Sequence, residues 1–377
     1  MTLHPKTGST RIVVLDSLRG LAAMIVCLHH LLFINRAYFE LYKGQVWFEV
    51  LDGIAGLNKE AVLFFFVLSG FSIGLSLKNK QPDSPATTND YIYRRFKRIL
   101  PVYFMALLFT FAAGMIMHQL QLPNYSSWNM LGNLLFMQTA DIEKGSWFIP
   151  YGFNGPLWSL SFEFFFYCFF PLVYFVNRRY LNRVNILVKY AVLMLLSIAA
   201  FTMNKVFFIP YFSFFSAFIV WLSGYLISRT YLTGQTYHLL FTGAFVFALL
   251  YLMAGKHFLS SNTLAFICKG LVIAAIFYLI TFYSKSGVVQ KLSRGPVWIL
   301  NSVFNYIGRG SYAAYALHYP LMLILQYFHV NMVVQVVVML TFIISCTTIE
   351  EMTIRWKLNV LRLDYTSFFF KRFNTAA

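Results

Sequence analysis

The stretch LDSLRGLAAMIVCLHH, Leu15 to His30, decides how the rest of the chain is read. It lies inside an apolar run, roughly residues 12–35, that is long enough as a helix to cross a bilayer. Yet it carries Asp16, Arg19, His29 and His30. An ionisable group at such a depth needs a partner or a water-filled cavity to offset its desolvation, so it marks a functional site by default. The apolar run continues past Cys27 with no small-residue cleavage site behind it, which reads as a retained helix and not a cleaved signal.

Outward from that stretch the same apolar character continues. The 377 residues are 59% hydrophobic and only 11% charged, with a mean hydropathy of +0.64. Soluble domains carry about a quarter charged residues. The composition therefore predicts an all-α, polytopic membrane protein, a single membrane domain over residues 1–377 with a flexible basic tail at about 355–377. Apolar runs place helices at roughly 12–35, 61–78, 99–118, 156–176, 186–203, 211–228, 238–254, 264–283, 311–328 and 332–350, about ten crossings. The formal charge of +17 invites a nucleic-acid reading, but the basic residues gather in alternate loops and not on one soluble face. About 22 of the 30 basic residues fall on one side and about 7 on the other, which puts both termini in the cytoplasm and excludes nucleic acid as a partner. Two long stretches on the opposite side, roughly 36–60 and 119–155, have the lengths of re-entrant or interfacial segments, and the polar run QPDSPATTND, residues 81–90, reads as a loop. Cys27, Cys168, Cys268 and Cys346 share no close spacing and read as small core residues, with no metal site expected.

Five constellations carry chemistry. Arg19 and His30 are eleven positions apart, which on a helix is about 20° in direction and about 16 Å along the axis, so they share one face. His29 points about 100° away, which favours His30 as the chemical residue and His29 as its neighbour. Asp16, one turn before Arg19, is its natural partner, in a site or in a purely structural ion pair. In DYIYRRFKRILP, residues 90–101, Arg95 and Arg98 present two guanidinium forks one turn apart, with Arg94 and Lys97 beside them. That pattern suits phosphate, although positive-inside topology by itself also places arginines at the entrance of a third helix. In GPLWSLSFEFFFYCFFP, residues 155–171, Glu163 lies about two turns into the fourth helix. A helix running inward there puts its carboxylate at a depth similar to that of His30, placed to orient the imidazole. In NYIGRGSYAAYALHYP, residues 305–320, His318 sits in the apolar body of the ninth helix, as an interhelical hydrogen bonder or a substrate contact. Finally LFFFVLSGFSIG, residues 63–74, has Ser69 and Gly70 in mid-helix, where small residues permit close packing.

Together these motifs resemble the membrane acyltransferase-3 family, whose bacterial members O-acylate surface polysaccharides and lipid-linked glycans. The resemblance runs over nearly the whole chain: LDSLRGLAA, ten intervening residues and His30, then LFFFVLSGF, RRFKR, PLWSLSFEFFFY and SYAAYALHYP in order. It implies a membrane O-acyltransferase of the bacterial cytoplasmic (inner) membrane, with no resident cofactor. The expected donor is cytoplasmic acyl-CoA, with acetyl the expected group; the acceptor is a hydroxyl of a surface polysaccharide or lipid-linked sugar. The implied catalytic residues are His30, Arg19 and Glu163, with Arg95, Arg98 and the adjacent Arg94 for acyl-CoA. Asp16, His29, Ser69, Trp158, Ser161, Tyr312 and His318 are the expected cavity and supporting residues. Direct transfer and an acyl-histidine intermediate are both compatible with this arrangement. The competing readings are a transporter or flippase that moves a glycan or acyl donor without chemistry, and a structural or sensory bundle locked by its polar residues. A metal enzyme using His29, His30 and Glu163 lacks the tight ligand spacing such sites show.

Overall fold

The computed structural model describes residues 13–78, 82, 84–139, 145–258, 262–283 and 297–355. Over these the chain is helical, with no strand among the described residues. The helices used below are α1 Val13–Ile34, α2 Val46–Ala55, α3 Asn58–Ser76, α4 Pro85–Ile116, α5 Ser127–Leu134, α6 Trp158–Arg179, α7 Ile186–Phe207, α8 Phe212–Thr233, α9 His238–Phe258, α10 Asn262–Tyr283, α11 Val297–Arg309, α12 Ser311–Tyr327 and α13 Met332–Arg355. Among the described residues, eight helices are long and apolar enough to cross a membrane. The expected spans at 238–254 and 311–328 are present as α9 and α12, whose apolar stretches, His238–Met253 and the 17 residues of α12, are shorter than those eight spans. The basic tail at 356–377 and the N-terminal Lys6 and Arg11 lie outside the described residues.

Burial separates the centre of the bundle from its rim. In α8, 78% of the span is buried, against 17% in α7, so α8 is a core helix and α7 presents most of its surface outward. Lipid supplies no hydrophobic drive between helices, and close backbone approach has to do that work. Two crossings show it. A Cβ at Gly70 of α3 would collide with the Trp221 carbonyl oxygen of α8, and one at Gly224 of α8 with that of Val67. Likewise a Cβ at Gly20 of α1 would strike the Phe304 carbonyl of α11, and one at Gly308 the carbonyl of Asp16. The packing role expected for Gly70 therefore holds, and α11 is pinned against the turn of α1 that carries Arg19. Gly308→Ala is expected to lower stability by about 1–3 kcal/mol through overpacking, read as a lower melting temperature in detergent.

Two elements differ from the sequence reading. The third crossing begins at Pro85, not near residue 99, because Ser84 and Thr87 form a capping box: Ser84 Oγ accepts from Thr87 N (3.3 Å) and Thr87 Oγ1 accepts from Ser84 N (3.1 Å). With Pro85 at the first helical position, that cap starts a helix straight through the polar run. Arg94, Arg95 and Arg98 are thus on the body of α4, not in a loop before it. Hydropathy missed this because it scores arginines as loop residues even when a cavity receives them. The second difference is α11, a helix the apolar-run criterion passed over. The long stretches expected at 36–60 and 119–155 contain α2 and α5, short helices that leave Val46, Trp47, Val50, Trp128 and Leu131 exposed. Cys27, Cys268 and Cys346 are buried as expected, whereas Cys168 is exposed on α6.

Candidate active site

α1 and α3 run antiparallel side by side, and their polar contacts fix the depth of everything else. Arg19 donates from Nη2 to Ser72 Oγ near one end, and Asn58 Nδ2 donates to His29 Nδ1 (2.6 Å) near the other. The two ends hold different chemistry.

At the Arg19 end an open cavity is lined by Arg19, Arg95 and Arg98 together with Ser69, Ser72, Glu163, Tyr167 and Tyr312. Three guanidinium groups against one carboxylate on this lining favour an anionic ligand. Each arginine is held in place. Asp16 Oδ1 accepts from Arg19 Nη1 (3.0 Å), and Ser76 Oγ accepts from Arg95 Nη2 (3.0 Å) while the Arg95 guanidinium carbon sits 5.7 Å from the Tyr91 ring centroid. Arg98 Nη2 lies 3.7 Å from Glu350 Oε1. Nε of Arg95 is buried without a hydrogen-bond partner, a donor that costs free energy unless a ligand takes it. Arg94 is placed differently: it pairs with Asp90 at 2.5 Å and does not line the cavity.

Glu350 escaped the sequence reading. Its carboxylate also accepts from the backbone N–H groups of Tyr312 (3.2 Å) and Ala313 (3.3 Å), so it caps the start of α12 while facing Arg98. Its one available signal was an acidic residue near the end of an apolar helix.

Glu163 accepts from Ser69 Oγ (2.8 Å) and from the Tyr167 hydroxyl, and Trp221 Nε1 donates to Ser69 Oγ (3.1 Å). Ser69 lies eleven residues along α3 from Asn58, about 16 Å of helix. Glu163 is therefore in the arginine cavity and not at the depth of His30, contrary to the expected pairing. The physical reason is the entry of the chain into α6. Two 3-10 turns, Tyr151–Phe153 and Gly155–Leu157, with Gly152 at φ 56°, carry it inward before α6 begins. Trp158 packs edge-on against Phe162 (centroids 5.3 Å) and does not line the cavity. Ser161 donates to the Gln138 carbonyl (2.8 Å), a buried tether and not a cavity residue.

At the other end His30 Nδ1 lies 2.9 Å from His318 Nε2. His318 Nδ1 is 3.0 Å from the Ala314 carbonyl oxygen and 2.9 Å from that of Tyr315. Carbonyl oxygens only accept, so Nδ1 of His318 carries the hydrogen and its Nε2, in the neutral ring, is an acceptor. The hydrogen between the two rings then belongs to His30 Nδ1, which leaves the lone pair of His30 on Nε2. Tyr319 stands edge-on to His30, with centroids 5.0 Å apart. His29 is turned to Asn58 and stacks on Phe33, a neighbour of His30 as its direction on the helix implied.

A multi-pass helical membrane protein, with an arginine-lined cavity and a partly buried histidine pair whose His30 shares a helix with Arg19, is the class this geometry defines. The sequence comparisons go further: residues 12–350 match the acyltransferase-3 family, described as an acyltransferase domain, and the chain belongs to that family. It is also 37% identical over 176 residues to the acyltransferase MdmB of Streptomyces mycarofaciens, a match covering 45% of this chain and 41% of that protein. The match thus spans less than half of that relative's length. No solved structure gives a significant match.

Proposed function

We propose that the protein is a membrane O-acyltransferase that takes an acyl group, acetyl first among candidates, from acyl-CoA and passes it to a hydroxyl of a surface polysaccharide or lipid-linked glycan. Its setting is the bacterial cytoplasmic membrane with both termini inside, which puts the arginine cavity on the cytoplasmic side. The observation that carries this reading is the His30–His318 bond on the helix whose other end presents Arg19 to the cavity.

In this mechanism Arg19, Arg95 and Arg98 hold the phosphates of the donor. His30 Nε2 takes the proton of the acceptor hydroxyl as its oxygen attacks the thioester carbon. The carbon–sulfur bond breaks, and the departing CoA sulfur receives that proton from His30. His318 Nε2 accepts from His30 Nδ1 throughout and stabilises the imidazolium while it exists, a base-and-orienter division of labour. Glu163, held by Ser69 and Tyr167, acts in the donor cavity beside the arginines and not on the histidine pair.

Mass spectrometry of surface glycans with and without the gene tests the acceptor class. A loss of one acyl mass supports the reading, and no difference in any glycan sinks the polysaccharide part of it. Transfer of label from acetyl-CoA by the purified protein, dependent on His30, separates an enzyme from a transporter. Two variants sharpen the assignment. Arg95→Ala is expected to weaken CoA binding about 10-fold, the scale of one charge-assisted hydrogen bond, as measured by titration calorimetry. His318→Ala is expected to lower turnover about 100-fold at unchanged CoA affinity, because the base loses its orienting acceptor.

A further inference from the structure

The lining of the arginine cavity does not include the histidine pair. Along one face of α12, Ser311, Tyr315 and His318 follow at i, i+4 and i+7, within about 60° in direction over about 10 Å of axis. Ser311 and Tyr315 line the cavity and His318 does not. On α1 the same holds for Arg19 and His30, with Ala23, Val26 and Cys27 buried in the turns between them. On α12 the cavity lining therefore reaches as far as Tyr315, one helical turn before His318.

The wall there is built from three helices. The Tyr315 hydroxyl and Ser159 Oγ of α6 are hydrogen-bonded at 2.7 Å, both buried, and Phe65 of α3 stands edge-on to the Tyr315 ring with centroids 5.8 Å apart. The carbonyl oxygen of the same Tyr315 accepts from His318 Nδ1, so the residue that closes the cavity also holds the orienting histidine.

We propose that Tyr315, fixed by Ser159 and Phe65, is the residue that sets acyl-chain length: before transfer its ring is the end wall against which the acyl group of the bound donor fits, and the ring moves aside when the thioester advances to His30. This rests on the reading of the cavity as an acyl-CoA site. An acyl chain entering past Arg98 and Glu163 meets the ring and can grow no further without displacing it. A close-packed wall of this kind discriminates by methylene count, because each added carbon either fills space or overlaps the ring. The buried hydroxyl pair makes displacement costly, since moving the ring leaves Ser159 without that partner.

The test needs no acceptor. The full chain in lipid nanodiscs is titrated with CoA, acetyl-CoA, butyryl-CoA and hexanoyl-CoA, and the affinity of each acyl-CoA is divided by that of CoA. In the wild type this ratio is expected to fall from acetyl to hexanoyl. Tyr315→Ala is expected to raise the hexanoyl ratio about 10-fold relative to the acetyl ratio, and Phe65→Leu to move it in the same direction. Phe65→Leu also carries the test if Tyr315→Ala does not fold. A chain-length profile that is the same in wild type and variants, with CoA still bound, overturns this inference and leaves the donor site standing. A wild type that binds no CoA overturns the donor site and this inference together. A purely structural Tyr315 would change all four affinities by one factor and leave the ratios where they were, which likewise overturns it.

Discussion

Replacing His30 by alanine is expected to lower acyl transfer by about 10²–10⁴-fold, the range a positioned general base supplies, with CoA affinity unaltered. The separation follows from the structure. His30 lies about 16 Å of helix from Arg19 and outside the cavity lining, so its removal takes away the proton acceptor and leaves the donor's binding groups in place. Single-turnover transfer from labelled acetyl-CoA measures the first quantity and calorimetric titration with CoA the second. A His30→Ala protein that still transfers at the wild-type rate would remove the base from the mechanism. Loss of folding is distinguishable, because it takes CoA binding with it.

Glu350→Ala is the second large effect, this time on stability. The change leaves Arg98 without its carboxylate and removes the cap of α12 at Tyr312 and Ala313. Breaking a buried pair costs about 3–5 kcal/mol, and the Arg98 side chain, 39% exposed, rehydrates enough to place the cost near about 3 kcal/mol. Since α12 carries His318 and Tyr315, the fraying of its first turn is expected to slow turnover as well. Glu350→Gln separates the two contributions. Its amide oxygen still accepts from the backbone N–H groups, so it keeps the cap and loses only the charge. Melting temperatures in detergent for the two variants should therefore rank wild type, Glu350→Gln, Glu350→Ala. Equal melting for all three would show that neither contact holds the helix.

Much of the site was legible one helix at a time. The eleven-residue spacing of Arg19 and His30 was enough to put both on one face, and Arg95, Arg98, Ser69, Glu163 and Tyr312 all line the cavity. Three expectations drawn from sequence alone met a different geometry. Glu163 is with Ser69 and Tyr167, not with His30; Trp158 and Ser161 brace the chain without lining the cavity; and the arginines ride on α4 itself. Each concerned the position of one helix relative to another, or of a helix start set by a local cap.

The sequence by itself determined the class: an apolar helical chain, the family motifs in order, and the polar faces of single helices. Periodicity does that because 3.6 residues per turn fixes direction and depth within a helix. Only the tertiary structure decided which faces meet. His30 and His318 are 288 residues apart, and Arg98 and Glu350 come from α4 and α13. Their meeting depends on where helices cross, and at the Gly70–Gly224 and Gly20–Gly308 contacts that is decided by backbone touching backbone. No periodicity in one segment encodes the depth at which another segment packs against it.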